Sequence, residues 1–139
     1  MSDTIDAELL ELADEFDLLG DWEERYRHII DLGRTLEPLT DAERIDANKV
    51  RGCASQVWLV SEKSADGRMI FRGDSDAMIV QGLVAVTLKL FSNRAPAEIL
   101  AFDAAKGFER LGLKGALSTQ RANGLSAMVA RIRQDAAGA

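Results

Sequence analysis

Apolar residues near the start of the chain recur at helical spacing. Ile5, Leu9, Leu12, Phe16 and Leu19 form one stripe, and Gly20 ends it, which predicts a first helix. Asp21 is placed to cap a second helix whose inward face is Trp22, Tyr26, Ile29, Ile30 and Gly33, with Pro38 stopping it. His28 lies off that stripe and reads as a surface residue. Thr40-Asp41-Ala42-Glu43 has the spacing of a capping box, so a short helical turn is expected there. The period then changes. Gln56 to Lys63 and Arg68 to Arg72 are rich in β-branched and aromatic residues, and Ala65-Asp66-Gly67 between them signals a hairpin. Lys49 to Arg51 is expected to add a third strand. In the first hairpin strand Val57 and Leu59 face one way, Trp58 and Val60 the other; both faces are apolar, so this strand should be central and Trp58 should lie in the core.

Asp76 to Phe91 is apolar at most positions and too long for a buried strand, which predicts a buried helix with Val80, Leu83, Val84, Leu88 and Phe91 on its most consistent face. Asn93 and Pro96 end it. Asp103 and Gly112 divide the next stretch into two short helices, and a last helix carries Leu125, Met128, Val129 and Ile132. The pattern predicts an α+β domain spanning 1–139, a small antiparallel three-stranded sheet packed with several helices, frayed only over Ala136 to Ala139.

Composition narrows the function classes. At 139 residues with 47% hydrophobic and 29% charged positions, the chain is ordinary globular material for one domain. A net charge of -6 argues against nucleic acid as partner. With no stretch apolar enough to cross a bilayer and an acidic N-terminus unlike a secretory signal, a cytoplasmic protein is expected, with no membrane partner. Ten acidic residues and no Lys or Arg lie between Met1 and Glu24, while six basic residues outnumber two acidic ones from Ala104 onward. This asymmetry is suited to steering a protein partner, although a solvated helix face is the plainer account of the acidic arm.

The candidate chemistry rests on Cys53, the single cysteine. It is flanked by Gly52, Ala54 and Ser55 rather than by the large apolar neighbours of a packing cysteine, although a half-buried loop thiol is the plainer alternative. If the segment is extended, Lys49, Arg51 and Cys53 share one side, and cationic neighbours favour the thiolate. Burial would act the other way, and the sequence leaves open which effect prevails. One Cys and one His argue against a protein-held metal or iron–sulfur site. The stretch Gly107 to Gly115 has the glycines of a phosphate loop, but Leu113 follows Gly112 where the Lys-Ser/Thr pair would stand, so it reads as a helix stop. Gln56 is a candidate for orienting the cysteine loop, or only the polar entry to a strand. Asp74 and Asp76 are candidates for a partner-facing loop, with N-capping of the following helix as the simpler role.

Arg51-Gly52-Cys53-Ala54-Ser55-Gln56-Val57-Trp58-Leu59 resembles the signature of the SufE family, the sulfur-acceptor partners of cysteine desulfurases. Gly73-Asp74-Ser75-Asp76-Ala77 with Val80-Gln81-Gly82-Leu83, and Leu117 to Leu125, resemble later family segments in the same order; the likeness covers about residues 20 to 135. Thr119 and Gln120 stand where many members have Pro and Ser. The resemblance implies a SufE/IscU-like fold and an accessory sulfur carrier rather than a stand-alone enzyme. Cys53 would take the terminal persulfide sulfur from a desulfurase whose pyridoxal phosphate belongs to that partner, stimulate its turnover, and pass the sulfur to an iron–sulfur scaffold complex. It also implies Arg51 and Arg121 as contacts to the thiolate or partner, with a helix-start salt bridge as the other role for Arg121. A homodimer stays open. The competing class is a thiol redox sensor or peroxidatic protein using Cys53.

Overall fold

In a computed structural model the chain is described from residue 4 to 139, with Lys114 and Gly115 described by backbone alone; residues 1–3 of the expected unit lie outside the described residues. Helix α1 spans Ile5–Asp17, and Thr4 caps it by accepting the Ala7 N–H. Helix α2 spans Trp22–Gly33, and the Asp21 carboxylate accepts the Glu24 N–H at 2.9 Å as its cap. His28 is less of a bystander than its position off the stripe suggests. Its Nε2 lies 3.1 Å from Glu15 Oε2 and its ring meets Phe16 edge-on, which ties α2 to α1.

Beyond Pro38 the capping-box residues do pair, with the Thr40 N–H donating to Glu43 Oε1 at 3.0 Å. The expected short turn is present, with the Arg44 N–H donating to the Thr40 carbonyl at 3.2 Å, and a single 3-10 turn at Asp46–Asn48 follows. Strands β1 (Val57–Lys63) and β2 (Met69–Ser75) pair antiparallel from Val57 opposite Ser75 to Lys63 opposite Met69. Gly67, at a φ of 85°, supplies the left-handed turn between them.

The expected third strand is reduced to one bridge. Lys49 pairs with Trp58 and the Val50 N–H donates to the Val57 carbonyl at 2.8 Å, but Arg51 and Gly52 turn away, Gly52 with a φ of 92°. A residue in that conformation cannot continue a ladder. Trp58 also departs from expectation. Val57 and Leu59 are buried, whereas Trp58 and Val60 are half-buried on the opposite face. That outer face carries ion pairs: Arg72 meets both Glu43 and Glu62, and Arg44 meets Asp74, which holds the 40–44 turn against the hairpin.

Helix α3 (Met78–Phe91) is the centre of the core, packing on α1, α2, α7 and β2. Its crossing with α2 is backbone against backbone. A Cβ on Gly82 would stand 2.3 Å from the Ile29 carbonyl oxygen, and one on Gly33 would stand 2.6 Å from the Gly82 nitrogen. Three short helices follow where two are expected, α4 (Pro96–Ala101), α5 (Ala104–Arg110) and α6 (Leu113–Ala116), because both breaks at Asp103 and Gly112 are followed by a new helix. Helix α7 spans Thr119–Ala137 and buries Leu125, Met128, Val129 and Ile132. It runs further than expected, because Ala136 is buried rather than frayed. Among the described residues no helix is long and apolar enough to cross a membrane.

Candidate functional site

The turn at Arg51-Gly52 delivers Cys53 to a cavity of about 350 Å³ between the cysteine loop, the opening turn of α3 and the N-terminal half of α7. Ala77, Ile79, Val80 and Leu83 form the α3 wall, while Ser118, Gln120, Arg121, Gly124, Leu125 and Met128 line the other side. The floor is apolar and the polar groups come from Ser55 and the start of α7. Two helix N-termini therefore open onto the cavity, and such ends carry partial positive charge.

Cys53 is half-buried, and its Sγ donates to the Gly124 carbonyl at 3.5 Å. Close approach is possible because α7 has no side chain at position 124, where a Cβ would lie 3.5 Å from Sγ. Burial pushes the thiol above its ordinary range. Of the two opposing influences read from the sequence, burial prevails. The reason is geometric: the chain is not extended through Arg51, so the expected shared side of Lys49, Arg51 and Cys53 does not form. Arg51 is exposed in the turn and does not line the cavity, and Lys49 instead uses its carbonyl to receive Arg131 Nη1 at 3.5 Å.

The structure brings Cys53, Ser55 and Arg121 together on the cavity, while Gly52 stands outside its lining. Arg121 is exposed at the start of α7, where its backbone N–H is received by the Ser118 hydroxyl at 3.3 Å. Among the described residues no carboxylate comes within ion-pairing distance of its guanidinium, so the helix-start salt bridge is not formed. Gln56, Asp74 and Asp76 stand outside the lining. Neither aspartate caps α3, whose cap residue is Ala77. Asp76 accepts the Gln56 N–H at 3.0 Å and returns its own N–H to the Gln56 carbonyl at 3.3 Å, closing the base of the cysteine loop. Asp74 is turned inward toward Arg44 and Gln81.

Two contributors were not read from the sequence as site residues. Gly124 and the Ala77–Val80 turn form much of the thiol's surroundings. Gly124 left a signal, since a glycine inside a helical pattern marks a close approach. Among the described residues no group of three or more His, Cys, Asp or Glu side chains converges as a metal site would.

Residues 10–136 match the SufE family, described as an Fe-S metabolism associated domain. An uncharacterized SufE-like protein of Rhizobium etli is 50% identical over 133 residues, covering 94% of this chain and 90% of the relative. Another from Rhizobium meliloti is 46% identical over 131 residues, covering 92% and 94%. The solution structure of a hypothetical protein from Thermus thermophilus superposes with a TM-score of 0.77 at 15% identity over 94% of each chain, which shows a shared fold.

Proposed function

This chain belongs to the SufE family, and from that premise we propose that Cys53 accepts the terminal sulfur of a desulfurase persulfide and carries it toward an iron–sulfur scaffold complex. Membership supports the broader role of sulfur acceptor and carrier in iron–sulfur cluster biogenesis. The observation that carries the finer reading is the placement of the chain's one thiol in a cavity of about 350 Å³, large enough to shelter an added sulfur atom.

The chemistry resembles thiol–disulfide exchange. The Cys53 thiolate attacks the outer sulfur of the partner's persulfide, a new S–S bond forms on Cys53, and the old S–S bond breaks to leave the partner's thiolate; no net oxidation occurs. At rest the thiol is neutral, held by burial and by the Gly124 carbonyl. Docking of the partner is what raises reactivity, because moving Cys53 out of the cavity removes the desolvation that keeps it protonated. Gly52 is the pivot suited to that movement, with Asp76 and Gln56 fixing the loop's far end. Arg121 and the helix ends around the cavity favour the anionic persulfide once it returns. The cytoplasm, as a reducing compartment, is part of this reading.

The test mixes the purified protein with a pyridoxal-phosphate-dependent cysteine desulfurase and cysteine, and records intact mass for wild type and Cys53→Ser. A reductant-sensitive gain of one sulfur on wild type alone, with faster alanine release, is expected. No gain with any desulfurase tried, together with oxygen adducts on Cys53 under peroxide, would replace this reading with thiol redox sensing.

A further inference from the structure

Asp74 stands outside the lining of the thiol cavity but is bonded to the first turn of the helix that walls it. The residue is only 9% exposed, and three donors converge on its carboxylate. Arg44 Nη2 donates to Oδ2 at 2.7 Å, the Ser75 N–H to Oδ1 at 2.8 Å, and Gln81 Nε2 to Oδ1 at 3.2 Å. The Gln81 amide also donates to the Ser75 carbonyl at 2.8 Å. Gln81 lies in the opening turn of α3, a turn whose cap residue, Ala77, offers no side-chain acceptor. Helix starts are ordinarily steadied by such a cap. Here the Asp74, Ser75 and Gln81 bonds take that place, and the residues they enclose include Ala77, Ile79 and Val80, the α3 wall of the cavity.

We propose that Asp74 is a positioning residue for sulfur transfer: locked by Arg44 from the 40–44 turn, it fixes the opening turn of α3 and so the wall against which Cys53 rests. This rests on the reading of Cys53 as the sulfur-accepting group. A carboxylate this buried is costly to leave without its donors, so loss of one partner disturbs the whole set. The disturbance passes to the cavity through Gln81, and the core of α3 beyond Leu83 is untouched. Asp74 is not at the partner's surface, so its loss alters how the sulfur is held and leaves docking unchanged.

The experiment measures Cys53 alkylation by iodoacetamide across pH for wild type, Asp74→Asn, Gln81→Met, Arg44→Met and Arg44→Lys, with melting temperatures for each. Val86→Ala, a truncation in the buried body of α3, supplies a comparison of lowered stability with the Asp74 contacts intact. The Asp74, Gln81 and Arg44→Met variants should react about three- to tenfold faster at neutral pH, with profiles moved toward an ordinary thiol, as an opened wall relieves desolvation. Arg44→Lys, which keeps the ion pair, should stay near wild type. In desulfurase-coupled turnover, Asp74→Asn and Gln81→Met should lower the maximal rate and leave the half-saturating concentration unchanged. Wild-type alkylation rates in both Asp74→Asn and Gln81→Met would overturn the proposal, as would equal acceleration by Val86→Ala at a matched loss of melting temperature. Wild type that never gains sulfur would overturn the acceptor reading alone, because the alkylation rates decide the wall's dependence on Asp74 without any sulfur donor.

Discussion

The Cys53 sulfur and the Gly124 carbonyl are 3.5 Å apart, so the thiol rests against the backbone of α7 at a position that has no side chain. The contact explains how a loop residue is sheltered without being enclosed. It also makes Gly124 a test of how much of the space around the sulfur is used.

A methyl group at position 124 would meet Sγ at ordinary contact distance. Gly124→Ala should therefore fold, and it should gain about 0.5–1 kcal/mol from replacing glycine inside a helix. The same methyl reduces the room beside the sulfur, so alkylation and persulfide loading should slow. Thermal melts and labelling rates check the two halves separately, and a lower melting temperature would mean that the sulfur is packed more tightly than this geometry allows.

Cys53 should label as a thiol of raised pKa. Its alkylation rate should go on increasing above about pH 8.5, where a free cysteine is half ionised. The linked stability has a definite sign. The folded state holds the proton more tightly than the unfolded one, so this contribution is fully present below the unfolded pKa and is lost as pH rises through the folded value. Cys53→Ser should abolish that part of the alkaline decline, seen as a smaller difference in melting temperature between neutral and alkaline buffer.

Glu43 behaves in the opposite sense. Its hydrogen bonds to Arg72 and to the Thr40 N–H hold its pKa down to about 2. The stability it contributes is present above the ordinary carboxylate value and is lost as pH falls through about 2. Glu43→Gln should melt below wild type at neutral pH, and the two curves should converge on acidification. A gap that persists at the acid end would assign the effect to shape rather than charge.

Gly82 tolerates no side chain. With a Cβ only 2.3 Å from the Ile29 carbonyl oxygen, Gly82→Ala must push α2 and α3 apart, at a cost of about 3 kcal/mol or more, the upper range for overpacking. Denaturant unfolding of the variant measures it. A near-neutral result would show that the helices separate easily.

Much of this architecture is legible in the sequence because it is periodic. The stripes through Ile5 to Phe16 and Leu125 to Ile132 mark helices whose buried residues they name, and Asp21 caps where its position says it should. Cys53 stands out by its small neighbours, and its companions Ser55 and Arg121 do reach the same cavity. What periodicity cannot carry is partnership across the chain. Asp74 looks like a cap because a helix follows it, but its strongest partner, Arg44, lies 30 residues away; Asp76 is answered by Gln56 at a separation of 20. The third strand fails for a local reason that alternation hides, the left-handed turn at Gly52. Trp58 is apolar enough for the core, yet it stands on the hairpin face opposite buried Val57 and Leu59, so it is left half-buried on the side that carries the ion pairs.

The crossing at Gly33 and Gly82 has a further consequence for how the molecule breathes. The tight seam between α2 and α3 should belong to the most slowly exchanging part of the protein, its amide protons leaving on global unfolding, whereas the opening turns of α3 and α7 should exchange through small local excursions. On the proposed role of Cys53, sulfur handling would then belong to the fast, shallow fluctuations and fold integrity to the slow, deep ones. The two layers can drift apart under mutation: a sequence can harden its seam without silencing its thiol, or loosen the cavity without ceasing to fold.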